Sequence, residues 1–421
     1  MTAQSATSDR PVHWPTVLQF GLSALAAVML WLMAATLLLV GFLEAIDRQV
    51  GPETAAMNIL NATGLFLAGA LVAPSAVFAL MRLMGRRAAP LADGHIWRKL
   101  YRPGWWLLAM PPVILLGALA SLNGWASLIL LPPLHLLGVS LPVFWLAWLA
   151  RRGLVNVAPQ RYWGMLASGL VLGPFLIMVL EVFSIAALLV GYVLYLMNQP
   201  GMIPMIERMQ VFMEANPVPD PERLLPLLEP LLADPGLTVV VLLAFSLVAP
   251  MIEEALKPIG VWLLAGRKLT GAEGFAAGAL SGAAFALFEN VSRGVDASQW
   301  TILVVVRIGT AVLHIFTSGL VGYGIALAWS ERKVLRLFLA YAAAVLLHGL
   351  WNGSVILMAL RVMGALMTNP ADFPVPAYWV VAGPLVISVL LIGMFSLLLV
   401  GNRRLRPVAL APISNPEEST N

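Results

Sequence analysis

The side chains with chemistry to offer lie inside apolar runs. Glu253, Glu254 and Lys257 occur in APMIEEALKPIG, Glu289 and Asn290 in FALFENVSRG, Arg307 and His314 in RIGTAVLHIFTSG, and His348 and Asn352 in LLHGLWNG. An ionisable group at bilayer depth costs at least ~2.5 kcal/mol on insertion scales, so such positions are informative by default. Imidazole, carboxylate and amide brought together from several helices suit two chemistries. They can hold a hard or borderline cation, or they can provide a general base beside an oxyanion donor. Neutral His is also the commonest metal ligand.

Spacing refines this. Lys257 follows Glu253 and Glu254 by one helical turn, where Glu to Lys pairs form. Adjacent carboxylates point about 100° apart on a helix, so Lys257 is expected to neutralise only one of them, the other facing a different partner. Pro250 and Pro258 bracket the pair and loosen the helix, a pattern tolerated where backbone lines a polar site. His348 and Asn352 share one helical face, with Trp351 beside them. At ~1.5 Å rise per residue, Glu253, His314 and His348 fall near mid-membrane and Glu289 somewhat nearer the outer surface. Arg307, near the outer end of its span, is free to snorkel or to join the site. His135 and Glu181, each alone in the first half, read as packing or internally bonded residues.

Several mechanisms are excluded. The chain has no Cys, which removes thiolate zinc sites, disulfides and a Cys nucleophile. It has no H-E-x-x-H run and no G-x-S-x-G elbow, and no Asp falls within an apolar run. What remains is glutamate and histidine chemistry.

The elements that must position these groups are membrane helices. Of 421 residues, 60% are apolar and 11% charged, and the mean hydropathy is +0.88, so lipid is the expected solvent for most of the chain. Runs long enough to cross a ~30 Å core lie near Val17 to Leu43, Ala56 to Leu80, Trp105 to Leu122, Ala126 to Ala150 and Gly164 to Met197. Five more lie near Leu237 to Ala265, Gly271 to Val291, Trp300 to Trp329, Leu335 to Leu360 and Tyr378 to Val400. The expected fold is all-α, a polytopic membrane protein of about ten spans. Most of the 25 Lys and Arg fall on alternate connections, in clusters such as Arg82 to Arg102, Arg151 to Arg161 and Arg403 to Arg406. By the positive-inside rule both termini are then cytoplasmic and the cell membrane is the expected location. These clusters are orientation signals, which argues against nucleic-acid binding despite a pI near 9.6.

Three regions are expected: residues 1–236, with an outer loop over 198–236; residues 237–400, which carry nearly the whole polar load; and a polar tail, 401–421. The Pro-rich outer loop suits short interfacial helices around Met205 to Met213 and Glu222 to Leu232.

Taken in order, APMIEEALKPIG, GALSGAAFALFEN, RIGTAVLHIFTSGLVGYG and LLHGLWNG resemble the motifs of the PrsW family of intramembrane proteases, related to the CAAX-processing and Abi membrane proteases. The resemblance implies hydrolysis of a peptide bond in a membrane-anchored protein, anti-sigma factors being the substrates known for bacterial members. It implies Glu253 and Glu254 as paired carboxylates, His314 and His348 as the histidines, and Glu289 and Asn352 as further site groups. Lys257, Asn290 and Arg307, read from their own positions, are expected to support them. Both a metal-dependent and a glutamate-dependent mechanism are open. If a metal serves, the expected set is His314, His348 and Glu289 holding a divalent cation such as zinc. Two other readings use the same residue types. A proton- or ion-coupled transporter would show interrupted helices in both halves, and an inactive scaffold would tolerate loss of His348.

Overall fold

The computed structural model describes residues 13–47, 52–86, 104–154, 157–216, 221–291, 299–367 and 374–406. Among them every regular element is helical. The first region supplies α1 (Trp14–Ile46), α2 (Pro52–Leu83), α3 (Gly104–Ala120), α4 (Gly124–Arg151), α5 (Pro159–Ala167) and α6 (Gly173–Met197). A π-helical turn, Ser168–Leu172, joins α5 and α6 into one span. In the outer connection, α7 (Met202–Ala215) and α8 (Pro221–Leu232) form where the sequence predicts short helices.

The second region begins with α9 (Pro235–Leu242), a π-helical segment Leu243–Val248, α10 (Ala249–Leu256) and α11 (Ile259–Trp262), together one interrupted span. Then come α12 (Gly271–Val291), α13 (Trp300–Glu331), α14 (Val334–Gly364) and α15 (Trp379–Leu405). Nine helical spans among the described residues are long and apolar enough to cross a bilayer, and the apolar part of α3, Leu108–Ala120, is a shorter tenth. About ten spans is therefore the architecture. The polar tail beyond Arg406 and the basic stretch 87–103 lie outside the described residues.

Two helices form the centre. The most apolar stretches of α12 and α13 are 78% and 72% buried, against 22% for α1 and for α14 and 17% for α15. Their closeness has a sequence cause. Gly274, Gly278 and Gly282 recur on one face of α12 and meet Gly322, Ser318 and His314 on α13. A Cβ at Gly278 would lie 2.2 Å from the Ser318 carbonyl oxygen, and one at Gly282 would lie 2.3 Å from that of His314. Only glycine permits this approach, the small-residue packing typical of membrane helices. The remaining helices wrap this pair: α4 packs on both α12 and α13, α14 on α13, and α6 on α10. One continuous apolar core runs from Ala27 in α1 to Leu398 in α15, so the two regions share a single interior.

Candidate active site

The loosened backbone around the glutamates comes first. Within Leu243–Val248 the helix widens to π geometry, and α10 follows with Pro250 in its first turn. Single π turns of this kind frequently sit at functional sites. The helix then breaks after Leu256, with Pro258 at φ −78° and ψ 31°. Neighbouring helices satisfy the freed groups. Ser281 of α12 donates its hydroxyl to the Lys257 carbonyl at 2.6 Å and accepts from the Gly260 N–H at 3.3 Å. Asn352 of α14 donates its amide to the Phe245 carbonyl at 3.0 Å. Gly349 lets α14 approach closely, since a Cβ there would stand 2.3 Å from the Ser246 carbonyl oxygen.

Lys257 is the hub. Its ammonium, fully buried, lies 2.7 Å from Glu253 Oε2, 2.9 Å from Glu254 Oε1, 2.8 Å from His314 Nδ1 and 3.3 Å from His348 Nδ1. The Phe285 ring lies beneath it, 4.8 Å to the centroid. This corrects the expectation that Lys257 reaches only one glutamate. On a helix, position 257 falls angularly between 253 and 254, at about +40° from one and −60° from the other, so one long side chain bridges both. The expected second partner is present as well: Glu254 Oε1 also accepts from His348 Nδ1–H at 2.8 Å.

Each histidine is held by a carboxylate on one nitrogen and turns the other inward. His314 donates Nε2–H to Glu289 Oε2 at 2.8 Å, and its Nδ1 lone pair faces Lys257. Glu289 is fixed in turn by Arg307, whose Nη1 is 3.0 Å from Oε1. His348 donates Nδ1–H to Glu254, and its Nε2 stands 4.0 Å from Glu253 Oε2. The hydrogen-bond pattern thus assigns both tautomers. It leaves two imidazole lone pairs and one carboxylate directed to a common centre.

That donor set fits a divalent cation. Ligand atoms of Glu253, His314 and His348 all lie within 4.8 Å of one another. Two histidines and a glutamate make up a ligand set used by catalytic zinc, leaving a coordination position open. Carboxylates on the outer nitrogens, here Glu289 and Glu254, orient such ligands. The buried ammonium against the His314 Nδ1 lone pair and Glu253 Oε2 shows that this part of the pocket accommodates positive charge. One further acceptor is spare: Glu254 Oε2 is buried without a hydrogen-bond partner.

The fold therefore brings Glu253, Glu254, Lys257, Glu289, Arg307, His314 and His348 into one cluster. Glu289 joins it through the outer nitrogen of His314 rather than through the common centre, and Arg307, 7% exposed, turns inward to Glu289. Asn352 and Asn290 are placed differently. Asn352 holds the π-helical segment, and Asn290 is buried beside Glu289 with its side-chain amide making no hydrogen bond. His135 of α4 is fully buried, with neither ring nitrogen hydrogen-bonded. Sequence reasoning missed Ser281 and Phe285, which no charge or motif marks; Glu181, read there as a packing or internally bonded residue, lies on α6, the helix that packs on α10.

No curated protein and no solved structure matches the chain. Residues 223–389, which span α8 to the first half of α15 and contain every member of the cluster above, match the family model described as PrsW family intramembrane metalloprotease, and this region is accordingly a peptidase domain of the PrsW family.

Proposed function

We propose that this multi-pass membrane protein hydrolyses a peptide bond of a membrane-anchored protein. Glu254 acts as general base, and Glu253, His314 and His348 hold a divalent cation, zinc being the metal their chemistry favours. The observation that carries this reading is the division of labour within the glutamate pair. Glu254 is tied through Oε1 to His348 and Lys257 and keeps Oε2 free, while Glu253 faces the nitrogen lone pairs. A bound divalent cation would supply Lewis-acid polarisation of the scissile carbonyl. Glu254 Oε2 takes the proton of the attacking water and delivers it to the leaving amine. Lys257 pairs with both glutamates in an apolar interior and offsets charge as the proton moves. Glu289 and Arg307 hold the His314 ring in register.

An open apolar groove of about 450 Å³ on the helix surface suits a hydrophobic substrate segment. It lies between the π-helical segment and α14, lined by Ser246, Leu247, Met251, Phe338, Tyr341 and Gly349, next in sequence to Glu253 and His348. Anti-sigma-factor-like proteins are the substrate class implied by the motif resemblance. Charge placement supports both termini in the cytoplasm and residence in the cell membrane.

The transporter reading predicts interrupted helices in both halves, and each region does contain a π-helical turn. These two turns, however, belong to the spans that carry Glu181 and Glu253, which pack on each other at one cluster. They therefore serve one site rather than two repeats.

The test is cleavage of a membrane-anchored substrate by the purified chain in lipid, with a chelator and then with added zinc. Loss of cleavage on chelation with recovery on zinc supports the cation reading. Full activity under chelation contradicts it and leaves Glu254 to work with the histidines alone.

A further inference from the structure

Helix α12 presents Ser281, Phe285 and Glu289 four residues apart, so the three side chains follow one another along one face. Two of them have defined tasks. Ser281 donates to the Lys257 carbonyl at 2.6 Å, and Glu289 accepts from His314 Nε2–H at 2.8 Å. Phe285, between them and 6% exposed, touches the same two residues. The Lys257 ammonium stands over its ring, 4.8 Å from the centroid, and the His314 ring meets it in a T-shaped contact with centroids 5.2 Å apart.

An ammonium has three N–H donors. The hydrogen-bond pattern commits them to Glu253 Oε2, Glu254 Oε1 and His314 Nδ1. The rest of this fully buried charge must be met by something other than water. The negative face of an aromatic ring does so, and an aliphatic side chain of similar bulk does not. Leucine fills the buried positions 280 and 287 of the same helix, so bulk alone does not call for an aromatic ring at 285.

We infer that Phe285 is a positioning residue of the peptidase centre. Its ring face seats the Lys257 ammonium where one cation bridges both glutamates, which holds Glu254 through Oε1 and leaves Oε2 free. This rests on the reading that Glu254 is the base. Helix α12 thereby acts as a template: Ser281 sets the Lys257 backbone, Phe285 its charged end and Glu289 the His314 ring.

The test replaces Phe285, in the full-length chain in nanodiscs, by phenylalanines carrying one, two and three ring fluorines. Fluorine draws charge from the ring face with little change of size, so packing is kept while the cation–π attraction weakens stepwise. The kcat for a membrane-anchored substrate is expected to fall stepwise, by about 10-fold at three fluorines, with KM unchanged. The metal-free melting temperature is expected to fall by about 2–4 °C across the series. It is expected to stay level when the series is made in Lys257→Met, which has no ammonium to seat. Equal kcat across the series, or melting temperatures that fall equally with and without Lys257, overturn the inference and leave an inactive Glu254→Gln to support the base. Cleavage by Glu254→Gln at the wild-type rate overturns the reading of the base and the inference with it. Should Lys257→Met fail to fold, the kcat series decides, a flat series overturning the proposal.

Discussion

Glu289 and His314 meet at 2.8 Å through Nε2, the nitrogen that points away from the centre of the cluster. The contact fixes the imidazole tautomer and directs the Nδ1 lone pair at the Lys257 ammonium. Because Arg307 holds the other Glu289 oxygen at 3.0 Å, the carboxylate cannot rotate away. Glu289→Gln turns one end of this clamp into an N–H donor facing either the imidazole N–H or the guanidinium. Cleavage is expected to fall about 10- to 100-fold with the protein still folded, as measured by substrate turnover and thermal melting of the same preparation.

Gly282→Ala tests the helix contact that sets this distance. The new methyl group would lie 2.3 Å from the His314 carbonyl oxygen and 2.7 Å from Ser318 Cβ. Separating α12 from α13 is expected to cost about 1–3 kcal/mol of stability and to reduce activity, because Glu289 and His314 lie on the two helices that part. Gly393→Ala, where no atom lies within 4 Å, is expected to be neutral in both assays. Equal melting temperatures for the two variants would contradict the close-packing account.

Lys257→Met removes the ammonium that balances Glu253 and Glu254. Breaking a buried ion pair by removing one partner costs about 3–5 kcal/mol, so the metal-free variant is expected to be markedly less stable than wild type. Zinc is expected to restore more stability to this variant than to wild type, since the metal then meets no competing ammonium at Glu253 Oε2 and His314 Nδ1. Calorimetry or a dye-based melt with and without zinc reads the difference.

Asn352→Ala distinguishes a scaffold role from a chemical one. The amide donates to the Phe245 carbonyl, so its loss is expected to lower stability by about 1 kcal/mol and activity by less than about tenfold. A fall of about 10²–10³ in turnover without a change in melting temperature would instead place the amide at the reacting carbonyl.

The spans were legible because long apolar runs and flanking charges are strong signals, and the cluster was legible because ionisable residues are rare among them. Other features depend on the way helices face one another, which spacing along one strand of sequence does not reveal. Lys257 bridges both glutamates because a side chain at i+4 from one and i+3 from the other points between them. Glu181 reads from sequence as a packing or internally bonded residue, and only the fold shows that its helix, α6, docks on α10, which carries Glu253. Asn352 shares a face with His348 but turns to a carbonyl in the π-helical segment, an interruption that no residue pattern announces. Glu289 seemed nearer the outer surface by counting rise, yet α12 and α13 approach so closely at Gly282 that it reaches His314.

The central claim is that Glu254 supplies the base for peptide hydrolysis in the membrane. Its most direct test is a proteomic comparison of membrane-protein fragments from cells carrying the wild-type chain and cells carrying Glu254→Gln at equal abundance. Glutamine keeps the size of the side chain and can still accept from His348, but its amide does not take a proton from water. The expected result is a set of cleaved membrane-anchored proteins present with wild type and absent with Glu254→Gln. Identical fragments in both samples would contradict the account.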